Sequence, residues 1–426
     1  MKNARFKVDI ARIFIKNVFM QLLKRWQEKS VRDALKTRRV VILSGARQIG
    51  KTTLARQVSQ EATYRTLDDH QLLQYAKEDP ISFLKHDKSL MIIDEVQKAP
   101  ELLPAIKMVV DTDTRYGQFL LTGSANVFTL PTVTESLAGR VHQVRLCPLT
   151  HGELRGKEPS FLSRLLRFDW PNDMPALTRK DLLAMAFTGG FPEAVHMPIK
   201  QRKSWYTDYL ESIIVYDLKD FAKVKKVAIL RQLVAALAAW SGKWLDFSEL
   251  AKGFGVSIET IQNYIELLKM LYLVDEVPSW TRTDYERVKK KGKFFMTDTG
   301  LMTALLDWDL DKTEINSDHV GKLIETLVFN ELSAQKYVYH NALQLYHYRD
   351  RAQHEIDFLI ESSGALFGIE VKAGSHVGTD DAQHLCWFEK NLSTPQPFYG
   401  VILYNGTISR RLTENIVAVP LSVLWE

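Results

Sequence analysis

The chain holds only two cysteines in 426 residues, Cys147 and Cys386. They form no CxxC pair and no metal-spaced set, which excludes a thiolate metal module and fits a reducing cytoplasm. No apolar run is long enough to cross a bilayer. The best stretch, Ile10 to Leu23, carries Arg12 and Lys16 inside it and is followed by Lys24, Arg25 and Lys29. No membrane partner is therefore expected, and without a small-residue cleavage site the stretch reads as an amphipathic leader helix packing on the next domain, not a signal peptide. Internal repeats and low-complexity tracts are lacking. Neither sign of charge dominates: the net charge of +5 permits nucleic-acid binding without demanding it. What is present, 46% hydrophobic and 25% charged residues, is the composition of a folded soluble protein. The length predicts two or three domains.

The strongest local signal is Gly45-Ala46-Arg47-Gln48-Ile49-Gly50-Lys51-Thr52, which fits the Walker A pattern GxxxxGK(S/T). Val40-Val41-Ile42-Leu43 before it reads as a buried strand, and Thr52 to Gln60 after it has helical composition without Gly or Pro. In that setting Gly45 and Gly50 let successive N–H groups turn inward onto a phosphate chain, and the helix N-terminus adds partial positive charge. Lys51 then reaches the β- and γ-phosphates, the Thr52 hydroxyl ligates magnesium, and Thr53 closes the set of nucleotide-binding residues. ATP and Mg2+ are the expected cofactors.

Five apolar runs, Arg39–Leu43, Thr63–Leu67, Ser89–Asp94, Gln118–Thr122 and His142–Leu146, alternate with helical stretches and predict a parallel sheet. Leu90-Met91-Ile92-Ile93-Asp94-Glu95 has the Walker B form. Ligands sit beyond the carboxyl ends of such strands, so Asp94 is expected beside the magnesium of Thr52, with Glu95 polarising the attacking water. The fourth run ends in Thr122-Gly123-Ser124. Either hydroxyl could contact the γ-phosphate or the water, and position alone does not separate them. Arg140, just before the fifth strand, is a candidate arginine finger; capping of a helix end is the competing role.

His151 to Thr178 reads as an irregular connector, and Thr188-Gly189-Gly190-Phe191-Pro192-Glu193 breaks the helices that follow. Helices are predicted over Ile229–Trp240, Phe247–Gly253 and Ser257–Met270, then strands over Leu271–Val274 and Lys293–Met296 on either side of a basic loop. This is a winged-helix pattern. Its third helix, the would-be recognition helix, offers Glu259 and Glu266 beside its polar residues, and phosphate would repel them. The loop, with Arg282, Arg287, Lys289, Lys290, Lys291 and Lys293, is the better DNA contact; packing or regulation inside an ATPase is the alternative.

In the last quarter, Glu355–Glu361 and Ala365–Lys372 flank Ser362-Ser363-Gly364. A two-residue turn at Ser363-Gly364 would set Asp357 opposite Glu370, with Lys372 on the face of Glu370. Two carboxylates and a lysine are what a divalent-metal phosphodiesterase needs: the acids hold metal and the lysine orients water. An exposed hairpin with an E-x-K ion pair is the plain alternative.

Taken together, GARQIGKTTL, LMIIDEVQKAPELLPAIK, FLLTGSA, ESLAGRV, GGFPEAV and EIDFLIE…IEVKAG resemble the bacterial and archaeal AAA-superfamily ATPases joined to a nuclease-like C-terminal domain of unknown function. The resemblance covers nearly the whole chain after the leader. It implies a P-loop NTPase with an AAA-type parallel sheet, then a helical lid and winged helix, then an α/β restriction-endonuclease-like domain. The expected bounds are leader 1–35, ATPase core 36–150, connector and lid 151–225, winged helix 226–315 and nuclease-like domain 316–426. By resemblance to the GxP element of related lids, Pro192 is a nucleotide-contact candidate; a simple turn is the other reading. The hairpin acids resemble the PD-(D/E)xK core, with Ile356 in place of its proline. In that comparison Glu325 matches the acid preceding the core, and Gln383 and Trp387 resemble QxxxY with Trp for Tyr. The implied function is a Mg-dependent ATP-hydrolysing switch coupled to the nuclease-like domain and acting on nucleic acid. An ATP-gated metal-dependent DNA endonuclease and an ATP-binding scaffold with an inactive nuclease-like domain are the alternatives. DNA, a protein partner and a second copy of the chain are the candidate partners, the last because Arg140 could act across a subunit boundary.

Overall fold

The computed structural model describes residues 23–124, 137, 139–214, 227–283, 290–339, 343–391 and 396–426. The expected leader helix, apart from Leu23, lies outside them, as do Arg287 and Lys289 of the basic loop. The chain divides into two compact units, Met1–Glu158 and Pro159–Glu426. Among the described residues no helix is long and apolar enough to cross a membrane.

The first unit is built on five strands: β1 (Val40–Ser44), β2 (Thr63–Thr66), β3 (Met91–Asp94), β4 (Phe119–Gly123) and β5 (Val141–Arg145). Their order is β2-β3-β4-β1-β5, and every pairing is parallel. All five residues of β1 are buried. A strand covered on both faces needs a continuous apolar run, and Val40-Val41-Ile42-Leu43 supplies one. Beneath the sheet, Phe83, Met91, Ile93, Ile106, Phe119 and Leu121 pack into one core. Emptying a site such as Phe119 would cost about 3–5 kcal/mol. The helix Gln27–Thr37 adds a face of Gln27, Ser30, Val31 and Ala34, buried at helical spacing.

The second unit begins with helices and then forms two sheets. Helices Val227–Ala239, Phe247–Phe254 and Ile258–Met270 accompany a small antiparallel sheet of β6 (Lys243–Trp244), β7 (Val274–Val277) and β8 (Lys293–Met296), in the order β6-β8-β7. Local chemistry sets the helix ends. Asp246 accepts from the N–H groups of Ser248 and Glu249 at 2.9 and 3.2 Å, Gly255 closes its helix at φ 63°, and the Ser257 hydroxyl caps Thr260 N–H at 3.1 Å. One predicted strand is displaced. Leu271 to Leu273 end the helix instead of starting a strand, with Tyr272 at φ 58° and Leu273 N–H returning to Leu268 O at 3.0 Å. A short buried apolar run fits a packed helix end as well as a strand.

A long helix, Ser317–Val338, precedes the larger sheet: β9 (Gln344–Arg349), β10 (Glu355–Glu361), β11 (Leu366–Lys372), β12 (Phe398–Tyr404), β13 (Arg410–Arg411) and β14 (Ile416–Pro420). Its order is β13-β14-β12-β11-β10-β9, antiparallel through β9-β10-β11 and parallel through β11-β12-β14. The β10–β11 register runs from Phe358↔Ile369 to Glu361↔Leu366, and Ser362 N–H donates to Ala365 O at 3.0 Å. Ser363-Gly364 is therefore the turn tip, as the sequence predicts. Carrying the register one residue back sets Asp357 across from Glu370.

Candidate functional site

The phosphate loop leaves β1 through backbone that side chains resist. Gly45 has φ 151°, Gln48 φ 60° and Gly50 φ 96°. A Cβ on Gly45 would lie 2.4 Å from the carbonyl oxygen of Leu146, so the loop passes too close to the end of β5 for any other residue. Lys51 opens the helix Lys51–Val58, and its buried ammonium donates to the carbonyls of Gly45 at 3.0 Å and Ala46 at 2.7 Å.

Asp94, at the carboxyl end of β3, is the centre of the site. Its carboxylate accepts from the Thr52 hydroxyl at 3.0 Å, from the Tyr64 hydroxyl at 2.8 Å and from the Thr122 hydroxyl. Burial first, then the neighbouring Asp94 carboxylate, raises the Tyr64 phenol above its ordinary value, so it stays a donor. Glu95 takes a left-handed conformation at φ 60°, ψ 45°. That costs a non-glycine residue about 1–3 kcal/mol, and such strain clusters at functional sites. Its N–H donates to Thr122 Oγ1 at 3.1 Å, while its Oε2 accepts from Ser124 Oγ at 3.3 Å and from Gln97 Nε2. Gln97 Nε2 also donates to Ser124 Oγ at 2.9 Å. The two hydroxyls that sequence left equivalent thus differ: Thr122 serves Asp94 and the Glu95 backbone, and Ser124 serves the Glu95 side chain. The hydroxyl of Thr52 beside the carboxylate of Asp94 is a pair of hard oxygen donors, which fits magnesium.

Three residues here escaped the sequence reading. Tyr64 and Gln97 lie outside the Walker patterns, though Gln97 follows Glu95 by only two positions. Arg25 looked like part of a basic flank. It is buried instead, donating to Glu153 Oε1 at 3.1 Å, to Ile49 O at 2.8 Å and to Cys147 O at 2.6 Å. Glu153 also accepts from Trp26 N–H at 2.7 Å and from Thr150 N–H at 3.0 Å. The pair ties the phosphate loop to the strand-end segment that follows β5.

Arg140 is elsewhere. In the parallel register Val40 pairs with Val141 and Ser44 with Arg145, so Arg140 precedes β5 at the end of the sheet opposite the phosphate loop. Five residues at about 3.3 Å each separate those ends by about 16 Å. Arg140 instead makes a two-armed pair with Asp111, one arm at 3.0 Å. A finger role toward its own chain's nucleotide is corrected on that ground.

In the second unit, Pro192 is the first residue of the short helix Pro192–Val195. The turn before it is tied to buried Asp298, which accepts from Gly190 N–H at 2.6 Å and Leu301 N–H at 2.7 Å. A Cβ on Gly189 would lie 2.3 Å from the Tyr206 hydroxyl oxygen, so packing accounts for that glycine.

The hairpin acids meet an unexpected partner. Lys293, predicted as an exposed DNA contact, is 1% exposed, and that expectation is corrected. Its ammonium donates to Glu325 Oε1 at 2.5 Å and Glu355 Oε1 at 3.1 Å, and lies 3.6 Å from Asp357 Oδ1. Burial pulls its pKa down, but Glu325, Asp357 and Glu355 together hold it above the usual lysine value. Burial pushes the Glu325 carboxyl up to about 8 against the pull of Lys293. Glu370 is 7% exposed; burial, then Asp357, raises its carboxyl well above the ordinary value. Its Oε2 is 3.9 Å from Lys372 Nζ, while its buried Oε1 accepts no hydrogen bond among the described residues. Asp357 Oδ2 accepts from Val371 N–H at 2.9 Å. Asp357, Glu370, Lys372 and Glu325 therefore lie in one neighbourhood, around Lys293. Gln383 stands exposed at the start of the helix Gln383–Asn391, and Trp387 stacks on His354 at 3.8 Å. The carboxylates suit a hard cation, yet among the described residues no three His, Cys, Asp or Glu side chains are arranged to hold a metal ion. The ammonium sits where one would go, so this arrangement does not fit a metal. Of the basic loop, Arg282 and Lys290 are exposed, and Lys291 pairs with Asp246 at 3.1 Å.

Residues 37–155 match a family described as AAA domain; 179–312 and 320–424 match two domains of unknown function (DUF8612 and DUF4143). The parallel sheet and phosphate loop of the first unit agree with the AAA-domain match over residues 37–155. An uncharacterized protein of Mycobacterium tuberculosis is 28% identical over 392 residues, which is 92% of this chain and 82% of that one. An uncharacterized protein of Haemophilus influenzae is 24% identical over 263 residues, 59% of each chain. A Walker-type ATPase structure from Pyrococcus abyssi is 14% identical, covering 67% of this chain and 96% of that one at a TM-score of 0.41.

Proposed function

We propose that the first unit binds ATP with magnesium and hydrolyses it as a molecular switch. The observation that carries this reading is the continuous chain of contacts Thr52–Asp94–Thr122–Glu95 at the mouth of the phosphate loop. Lys51 leaves its loop carbonyls for the β- and γ-phosphates, and Thr53 follows as part of the same cradle with Ala46, Arg47, Gln48 and Ile49. Thr52 and Asp94 hold magnesium, which offsets phosphate charge. Glu95, oriented by Gln97 and Ser124, accepts the proton of the attacking water. Nucleotide state then biases the second unit, with Pro192 as the candidate lid contact. Any arginine finger from Arg140 comes from a neighbouring copy.

Arg282 and Lys290, exposed in the basic loop, support DNA as partner of a winged-helix module; a protein partner is the alternative. An ATP-licensed nuclease at Asp357, Glu370 and Lys372, with Glu325 and Gln383 as accessories, ranks second, because Lys293 stands among those acids. That observation favours a nuclease-like fold serving as a regulatory element. The test is magnesium-dependent ATP hydrolysis with and without DNA, beside Lys51→Ala. Turnover lost in the variant is expected, since the lysine's charge acts on the transferring phosphoryl group. Stimulation by DNA supports the nucleic-acid partner, whereas indifference to DNA favours the protein partner. Equal turnover in wild type and Lys51→Ala would end the ATPase reading.

A further inference from the structure

We propose that Lys293 is a built-in cation that closes the acidic cluster, so that the native chain takes no divalent ion there and removing the ammonium opens a divalent-cation site. Four carboxyl groups converge from three elements: Glu325 from the helix Ser317–Val338, Glu355 and Asp357 from β10, and Glu370 from β11. The ammonium touches two of them and lies within 3.6 Å of a third. Glu370, which shares their field, keeps a buried oxygen that accepts no hydrogen bond among the described residues. A compact dication would satisfy that lone pair; the ammonium, which donates to Glu325 and Glu355 and lies 3.6 Å from Asp357, does not.

The lysine is placed there by its strand. β8 is the central strand of the small sheet, all four of its residues are buried, and Lys293 pairs with Val277 and Trp244. The Trp244 and Phe295 rings flank the ammonium, each centred 5.9 Å away. Enclosed by carboxylates and ring faces, it is a held group and not a surface side chain that happened to fold inward. A dication placed among the same oxygens would lie at contact distance from a fixed positive charge with little water to screen it, so the two exclude one another.

The test is Mn2+ titration of the nucleotide-free full chain, read as loss of the free-ion electron paramagnetic signal. Wild type is expected to show no site that depends on Asp357, judged against Asp357→Asn. Lys293→Met, which keeps length and removes charge, is expected to gain one site per chain at least ~10-fold tighter than anything in wild type, as the fixed cation is gone. The double variant with Asp357→Asn should lose it again. A wild-type site lost in Asp357→Asn would overturn the proposal, and so would a folded Lys293→Met that gains nothing. Should Lys293→Met not fold, wild-type thermal unfolding decides: an Mn2+-induced rise in Tm that Asp357→Asn removes contradicts the closed cluster, and its absence supports it.

Discussion

Glu95→Gln is expected to lower ATP turnover by roughly 10²–10⁴-fold, the usual contribution of a positioned general base, while MgATP stays bound. The substitution keeps size and polarity but removes the proton acceptor. The surroundings make the separation clean. The contacts proposed for Lys51, Thr52 and Asp94 with phosphate and metal do not involve the Glu95 carboxylate, which accepts from Gln97 and Ser124 instead. Ground-state binding is therefore left in place. Single-turnover hydrolysis beside equilibrium nucleotide binding checks this. Loss of both together would mean that Glu95 holds the site's shape; loss of neither would move the base elsewhere.

Arg25→Met is expected to destabilise the first unit by about 3–5 kcal/mol, the range for breaking a buried ion pair by removing one partner. The side chains of Arg25 and Glu153 are 6% and 1% exposed. Without the guanidinium, Glu153 keeps its charge in a dry setting, and the carbonyls of Ile49 and Cys147 lose their donor. Because Ile49 belongs to the phosphate loop, nucleotide affinity should fall with stability. Glu153→Gln in the Arg25→Met background should recover part of the loss, since the unpaired charge is then gone. Denaturant unfolding followed with and without MgATP reads both effects. Unchanged midpoints would show the pair to be incidental.

Much of the first unit was legible because each of its parts is a local pattern. The five strands fall within two residues of their predicted ends, since parallel strands covered on both faces must be apolar throughout. The phosphate loop and Asp94 follow from spacing. The β10–β11 register was also readable, because Ser363-Gly364 is a short turn between two strands of matched alternation. What spacing could not supply were contacts between distant segments. Arg25 reaches Glu153 across 128 positions and Lys293 reaches Glu325 across 32. A basic residue in a basic stretch looks solvated until the acids that bury it are known. Arg140 is a different case: it precedes the fifth strand, and in the predicted parallel sheet that end already lies opposite the phosphate loop, so a finger role within the same chain conflicts with the predicted strand direction itself.

The measurement that bears most directly on the account is calorimetric binding of MgATP to the full chain and to Lys51→Ala. The account predicts one nucleotide per wild-type chain and a loss of affinity of at least ~10-fold in the variant, because a charged hydrogen bond to phosphate is removed. Equal binding by both chains, or none by wild type, would contradict it.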